Sequence, residues 1–224
     1  MEIDLNADLG EGAGSDAALM PLVTSANVCC GLHAGGPEET AAVLELAYAH
    51  GVVVGAHPGY DDRANFGRRD RDLTGEQVFA LCDEQIRRLG ESVAYLKPHG
   101  ALYNQACRDP HYAGGVVRAA AAHQLPVVGL PDSQLERGAH GRTAFIPEGF
   151  ADRRYRPDGS LVPRTEPDAF VHDADEAVAQ VEWLIRAKGV RTVCVHGDNP
   201  RAVAFATAVR DSLLARGFTL KSFA

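Results

Sequence analysis

The sequence predicts an α/β fold: one domain in which about seven parallel strands form an irregular β/α barrel. Short apolar runs alternate with longer amphipathic stretches along all 224 residues, as expected for repeated strand and helix units. Most of these runs are apolar throughout, which indicates strands buried on both faces. Polar residues follow nearly every run, as at the active-site end of a barrel. An open, doubly wound sheet is the alternative, because strand number alone does not separate the two.

The strands are predicted from runs of apolar and β-branched residues. Each run is short enough for a strand and is followed by a turn signal such as glycine or proline. The seven runs are Glu2–Asp8, Ser25–Cys30, Val52–His57, Val93–Lys97, Pro126–Leu130, Thr143–Pro147 and Thr192–His196.

The helices are predicted from apolar periodicity and from capping residues. Pro37–His50 begins with Pro-Glu-Glu and is followed by Gly51, which fits a C-cap. Thr74 opens a second helix with a capping-box pattern, and that helix continues to Gly90. Three more helices and two irregular stretches are expected. The helices are Tyr112–His123, Ala174–Lys188 and Pro200–Arg216, and the irregular stretches are Pro131–Arg142 and Phe150–Pro167.

Composition excludes several functional classes. The chain is 46% hydrophobic and 23% charged, which suits one globular domain over residues 1–224. A net charge of -8 disfavours binding to nucleic acid or to an anionic membrane. No apolar run is long enough to span a bilayer, and the N-terminus is acidic, so a cytoplasmic location is expected. The five cysteines form no Cys-x-x-Cys pair, which argues against a zinc ribbon.

The ends of the predicted strands carry the chemistry. A single histidine at a strand end is more often a hydrogen-bonded structural residue, but many ionisable groups at one rim would be costly without a ligand or a reaction. Those expected at the rim are Asn6, Asp8, Glu11, His33, His57, Lys97, His99, Tyr103, Asn104, Glu148, Asp152, Arg153, His196, Asp198 and Asn199.

Six sequence blocks identify a family resemblance, and they span the whole chain in order. They are Asp4-Leu-Asn-Ala-Asp-Leu-Gly-Glu11, Ser25-Ala-Asn-Val-Cys-Cys-Gly-Leu-His-Ala-Gly35, Gly55-Ala-His-Pro-Gly-Tyr60, Lys97-Pro-His-Gly-Ala-Leu-Tyr-Asn104, Glu148-Gly-Phe-Ala-Asp-Arg-Arg-Tyr155 and Val195-His-Gly-Asp-Asn-Pro200. Together these blocks resemble the LamB/YcsF family. One departure is Gly36, where the family usually has an aspartate, so any role of that aspartate is not carried over.

The resemblance implies a function as well as a fold. It implies a deacetylase-like barrel that acts with two partner subunits, B and C, of an ATP-dependent 5-oxoprolinase. That enzyme opens 5-oxo-L-proline to L-glutamate while it hydrolyses ATP. The chain has no Gly-x-x-x-x-Gly-Lys-Ser/Thr loop and no Gly-x-Gly-x-x-Gly after a strand. Part of the nucleotide chemistry is therefore expected on the partner subunits, with ATP as a co-substrate.

Roles follow from the side-chain chemistry. We expect Asp8 and either Glu148 or Asp152 to act as general base or acid. Histidines would shuttle protons or donate to a developing oxyanion, and Lys97 would pair with a substrate carboxylate or a phosphate. The catalytic histidines expected are His57, His99 and His196, and the substrate-binding residues expected are Asn6, Glu11, His33, Lys97, Tyr103, Asn104 and Arg153.

Two other functions remain open at this point. In a metal-dependent deacetylase, or another carbohydrate-active hydrolase on a related barrel, Asp8, His33 and His57 would hold a divalent ion such as zinc that activates water. Alternatively, the chain could be a binding or regulatory module whose partners carry out all the chemistry. Metal analysis separates the first of these from the 5-oxoprolinase, and variants at Asp8 or His99 test the second.

Overall fold

Seven parallel strands close into a barrel in the computed structural model of the chain, which describes residues 1–197 and 201–224. They pair in the order β2-β3-β4-β5-β6-β7-β1, and β1 pairs again with β2. The barrel prediction is therefore confirmed over the open sheet. The strands are β1 (Glu2–Leu9), β2 (Ser25–Cys29), β3 (Val53–His57), β4 (Tyr95–Leu96), β5 (Val127–Gly129), β6 (Phe145–Phe150) and β7 (Thr192–Val195).

One further strand lies outside the ring. This strand, β8 (Thr219–Leu220), pairs in parallel with the start of β1 and was not predicted. The prediction for the sixth strand was wrong at its end, because β6 runs to Phe150 rather than Pro147. Glu148 and Phe150 are paired with Thr192 and Cys194 of β7. Glu148 therefore lies within a strand rather than in the loop that follows it.

Eight α-helices are present in the described ranges, and they cover the barrel. They are α1 (Asp16–Leu19), α2 (Pro37–His50), α3 (Gly75–Leu89), α4 (Gly100–Arg108), α5 (Pro110–Ala122), α6 (Gln134–Ala139), α7 (Ala174–Lys188) and α8 (Ala202–Ala215). Short 3-10 turns occupy Met20–Leu22, Arg63–Asn65 and Gly90–Ser92. No helix of the described chain is both long and apolar enough to cross a membrane.

The capping residues account for several helix ends. Thr74 and Gln77 form the predicted capping box of α3, and Gly51 ends α2 in the left-handed region at φ 65°. Both ends of α2 and α7 match their predictions. The helix α4 was not predicted, and α6 forms inside the stretch that was expected to be irregular. The predicted start of the last helix, Pro200, lies outside the described residues, as do Asp198 and Asn199 of its motif.

The first strand explains how a polar site sits inside an apolar shell. Along β1, the outward residues Ile3, Leu5, Ala7 and Leu9 belong to the main hydrophobic core beneath the helices. The alternate residues Asp4, Asn6 and Asp8 are also buried, and they turn into the barrel because side chains alternate along a strand. The interior of this barrel is therefore lined by hydrogen-bonding groups on at least one strand, contrary to the expectation of apolar faces throughout.

Candidate active site

A cavity of about 770 Å³ opens at the carboxyl ends of the strands. Because all seven strands are parallel, residues that end different strands meet at this one rim. Side chains from four of these strand ends line the inner part of the cavity, and the 150–165 segment forms one wall. The inner residues are Asp8, Glu11, His57, Lys97, His99, Phe150 and His196.

Lys97 is the buried cation at the base of the cavity, and its side chain is 2% exposed. Its Nζ lies 2.7 Å from Glu148 Oε1, 3.0 Å from Asp8 Oδ1 and 3.2 Å from Asn6 Oδ1. Burial opposes the charge, but Asp8, then Cys194, then Glu148 hold the pKa of Lys97 well above its usual value. An ammonium has three protons to donate, and these contacts use them. The expected pairing of Lys97 with a substrate anion does not fit them.

Asn6 and Asn27 support Asp8 from below. Asn27 donates from Nδ2 to Asn6 Oδ1 at 2.6 Å and to Asp8 Oδ1 at 2.8 Å, while Tyr95 donates its hydroxyl to Asn27 Oδ1 at 2.7 Å. Asn6 is 1% exposed and does not line the cavity. It holds its neighbours in place and does not face a substrate. Asn27 was missed, although a lone amide in the apolar run of β2 was a signal for it.

Asp8 is the centre of the arrangement. Its Oδ1 accepts from Lys97 and Asn27, and its Oδ2 lies 3.3 Å from His57 Nε2 and 3.9 Å from His196 Nε2. Burial favours the neutral acid, but the positive charge that His57 and Lys97 supply lowers the pKa of Asp8 well below its usual range. Asp8 is therefore an ionised carboxylate at the edge of the cavity, with one oxygen turned towards two imidazoles.

A second carboxylate orients His196. Asp152 lies 2.8 Å from His196 Nδ1 and also accepts from the backbone N–H of His196 at 3.2 Å. The ring of His196 stacks on Phe150 with centroids 5.5 Å apart. Burial opposes ionisation of Asp152, but His196 lowers its pKa nonetheless. Asp152 is buried and does not line the cavity, so it fixes the imidazole with Nε2 turned towards Asp8.

Glu148 and Tyr103 are the buried polar groups nearest to being unsatisfied. Within residues 1–197 and 201–224, Glu148 Oε2 and the Tyr103 hydroxyl have no hydrogen-bond partner. Burial raises the pKa of both groups, and Lys97 only partly offsets this at Glu148. Glu148 is fully buried and does not line the cavity, whereas Tyr103 does. Glu148 therefore acts on the cavity through the ammonium of Lys97.

Glu11 and three histidines form a compact group beside Asp8. Glu11 Oε1 lies 3.1 Å from His33 Nε2 and 3.2 Å from His99 Nδ1, and His99 Nδ1 lies 3.0 Å from His57 Nε2. The loops after β1 and β2 approach closely because Gly35, at φ 54°, has no side chain to collide with the carbonyl of Gly10. This packing brings Glu11 against His33.

The group differs from the metal set expected from the sequence, which was Asp8, His33 and His57. His33 and His57 cluster with Glu11 and His99, whereas Asp8 clusters with Cys194 and His196. The reason is that Lys97 and Asn27 already hold one oxygen of Asp8. Glu11, from the turn after β1, supplies the carboxylate instead.

The mouth of the cavity is rich in arginine. Arg153 is 6% exposed, and its guanidinium donates to the carbonyls of Val162 and Ala169 and lies 5.3 Å from the Phe170 ring. Burial, and then the nearby Arg164, lower the pKa of Arg153 to about 10. Asn104 lines the mouth from the exposed side of α4. The arginines that line the cavity are Arg68, Arg108, Arg153, Arg156 and Arg164.

Comparison with known proteins identifies the family. The model of the LamB/YcsF family matches residues 3–224. The chain belongs to the LamB/YcsF family. A family relative from Neisseria meningitidis serogroup C (strain 053442) carries the name of the first of the lettered 5-oxoprolinase subunits. It is 44% identical over 243 residues, which cover 99% of each chain.

Solved structures agree with this assignment. The lactam utilization protein from Thermus thermophilus matches this LamB/YcsF chain with a TM-score of 0.90 and 37% identity over the whole of both chains. A family 4 carbohydrate esterase from Streptomyces lividans, in complex with acetate, matches with a TM-score of 0.54 and 13% identity. It covers 100% of this chain and 93% of the esterase. At that identity the likeness concerns the fold alone, and it agrees with the expected deacetylase-like barrel.

Proposed function

We propose that this chain is the lactam-opening subunit of an ATP-dependent 5-oxoprolinase that works with partner subunits B and C. The names of the two similar proteins support a lactam substrate. The observation that carries the proposal is the ionised Asp8, which faces two imidazoles at the base of a cavity large enough for 5-oxo-L-proline. Asp8 and these histidines are groups that general acid and base catalysis requires.

The reaction itself defines what the site must do. Opening the ring adds one water across the amide bond: its hydroxyl joins the carbonyl carbon, and a proton goes to the ring nitrogen. Hydrolysis of ATP to ADP and phosphate uses a second water. Because amide resonance makes the ring unreactive, we expect ATP to activate the amide oxygen by phosphorylation, with much of the nucleotide chemistry on the partner subunits. This chain then supplies water activation and proton transfer.

The base is assigned to Asp8 together with His196. Asp152 holds the Nδ1 side of His196, so Nε2 is free to accept a proton, and it lies 3.9 Å from Asp8 Oδ2. A water that hydrogen-bonds to both atoms would lose its proton as it attacks the lactam carbon. Lys97 keeps Asp8 ionised for this purpose, and Glu148 balances the charge of Lys97 from beneath.

The acid and the substrate contacts are assigned to the remaining cavity residues. His57 lies 3.3 Å from Asp8 Oδ2 and 3.0 Å from His99 Nδ1, so these two imidazoles form a route for a proton to the ring nitrogen. Arg153 is a buried cation whose depressed pKa an anionic ligand would restore. We therefore assign the carboxylate of 5-oxo-L-proline to the arginine-rich mouth, with Tyr103 and Asn104 beside it.

A direct test compares glutamate formation by the assembled subunits with different forms of this chain. We expect Asp8→Asn and His196→Gln each to lower 5-oxoproline-dependent turnover by at least about 100-fold, as loss of a general base does. Asp83→Asn is the matched control, because Asp83 pairs with His123 away from the cavity. The control should keep normal turnover. Near-normal turnover in a folded Asp8→Asn protein would overturn the proposal.

The same experiment separates the other functions. If this chain only binds substrate for its partners, Asp8→Asn will leave glutamate formation intact in the assembled enzyme. If it is a deacetylase, the isolated chain will release acetate from acetylated sugars without ATP or partner subunits. The proposal predicts that this chain alone releases no acetate and that glutamate forms only with all subunits and ATP present.

A further inference from the structure

We propose that Glu11, His33, His57 and His99 form a binding site for one divalent transition-metal ion, with zinc as the best fit. The inference concerns metal binding and does not depend on the proposed reaction. The four residues come from the ends of four strands, and they contribute one carboxylate oxygen and three imidazole nitrogens. This mixed donor set suits zinc and similar ions, whereas Mg²⁺ and Ca²⁺ prefer oxygen ligands throughout.

The spacing of the four donor atoms matches a tetrahedral site. Distances from Glu11 Oε1 to the imidazole nitrogens of His33, His99 and His57 are 3.1, 3.2 and 3.8 Å, and all four donor atoms lie within 4.8 Å of one another. Zinc ligands sit about 2.0 to 2.2 Å from the ion, so the edges of a regular tetrahedron measure about 3.3 to 3.6 Å. An ion could be placed among these atoms after shifts of a few tenths of an ångström.

The hydrogen bonds of two histidines provide an independent argument. His57 Nδ1 lies 2.8 Å from the carbonyl oxygen of Lys97, and His99 Nε2 lies 2.9 Å from that of Phe66. A carbonyl only accepts, so in each neutral ring these nitrogens carry the proton. The opposite nitrogens, His57 Nε2 and His99 Nδ1, then present lone pairs to each other at 3.0 Å. Two facing lone pairs repel unless a cation lies between them.

A metal satisfies this arrangement better than a proton does. One proton can bridge a single pair of atoms, whereas Glu11 Oε1 and three nitrogens converge here. The histidines are also nearly inaccessible, with exposed fractions of 0% for His33, 1% for His57 and 4% for His99, and an isolated imidazolium is disfavoured by such burial. The carbonyl hydrogen bonds behind His57 and His99 are the outer contacts that orient metal-binding imidazoles in proteins.

The surrounding backbone holds the rings in place and leaves a way in. His33 stacks on His99 with centroids 3.8 Å apart and an angle of 2° between the rings. Gly59 and Gly67 pack against His33 so closely that a side chain at either position would overlap it. Glu11, His57 and His99 line the cavity, so an ion can reach the site from solvent, and an ion held there would lie beside Asp8.

The first experiment measures the metal content of the purified full chain. After dialysis against metal-free buffer at neutral pH, we expect close to one zinc per chain by mass spectrometry. Removal with a chelator should lower the melting temperature, because an ion that binds only the folded chain stabilises it. Substitution with Co²⁺ should give the visible absorption of a four- or five-coordinate site with nitrogen and oxygen ligands. A folded chain that neither retains zinc nor takes it up on titration would overturn the proposal.

Variants then locate the ion. We expect Glu11→Gln and His33→Gln to weaken zinc binding by at least tenfold, because loss of even an outer contact costs about that much in metal sites. His196→Gln is the matched control: it removes a histidine from the same cavity but outside the donor set, so stoichiometric zinc should remain. Undiminished affinity in Glu11→Gln and His33→Gln would contradict the assignment. Titration of the chelated wild-type chain avoids any folding defect in the variants.

These results are separable from those of the proposed reaction. A zinc-binding chain with no role in 5-oxoproline turnover would keep the metal site and remove the proposed function. Turnover that survives in Asp8→Asn would have the same meaning, because Asp8 is not among the four ligands. Conversely, a metal-free chain that is fully active with its partners would remove the metal site alone.

Discussion

Lys97→Met is the substitution that tests the charge balance of the site most severely. It keeps a chain of similar length but removes the ammonium that lies 2.7 Å from Glu148 and 3.0 Å from Asp8. Breaking a buried ion pair by removal of one partner costs about 3 to 5 kcal/mol, because the remaining charge has no compensation. Glu148 can escape part of this cost by binding a proton, since burial already raises its pKa. We therefore expect a loss of about 3 kcal/mol in the free energy of unfolding at neutral pH.

The pH dependence gives the sign of the effect. Without the ammonium, the pKa of the Glu148 carboxyl in the folded chain rises further, so the folded state binds more protons than the unfolded state. Stability relative to the wild type therefore recovers as the pH falls. Urea unfolding at pH 8, 7 and 5.5 measures this, and Lys97→Met combined with Glu148→Gln should lose less at pH 8 than Lys97→Met alone. A loss below about 1 kcal/mol, or a deficit that does not change with pH, would refute the reasoning.

Three further predictions concern stability and reactivity. Asp152→Asn should lose about 1.5 to 3 kcal/mol at pH 7, because it removes a charge-assisted bond to His196. Since the pKa of Asp152 is lowered in the folded chain, the deficit should shrink as pH falls below about 4, and a deficit that is constant in urea unfolding down to pH 3 would contradict this. Gly55→Ala should cost about 1 to 3 kcal/mol because the new methyl would overlap the Tyr95 ring. Gly114→Ala, a helix position with open space, should be neutral or stabilising, and equal melting temperatures for the two variants would argue against this packing. Four of the five free cysteines are buried, so a thiol reagent at pH 8 should label the native chain far more slowly than the unfolded chain, whereas rapid labelling of several thiols would contradict this burial.

The sequence was informative where local patterns decide structure. Apolar runs and capping residues predicted all seven barrel strands and both ends of α2 and α7. The convergence of Asp8, His57 and His99 could also be anticipated, because parallel strands end at the same rim. Glycine and proline after these residues marked the turns that carry the site.

Other features depend on side-chain packing that no local pattern records. The helix α4 has glycine as its first residue and only nine residues in all, so neither length nor periodicity revealed it. Lys97 was expected to meet a substrate anion, but three strands bring Asp8, Glu148 and Asn6 to its ammonium first. Which carboxylate joins His33 and His57 depended on the loop after β1, whose path is fixed by contacts with residues far along the chain.

The central claim is that Asp8 and the histidines around it act on one substrate in one cavity. The most direct measurement is a crystal structure of the assembled subunits with 5-oxo-L-proline bound. The account predicts that the lactam carbonyl carbon lies one water molecule away from Asp8 and His196, with the substrate carboxylate towards Arg153. A lactam bound outside this cavity, or held with its ring facing away from Asp8, would contradict it.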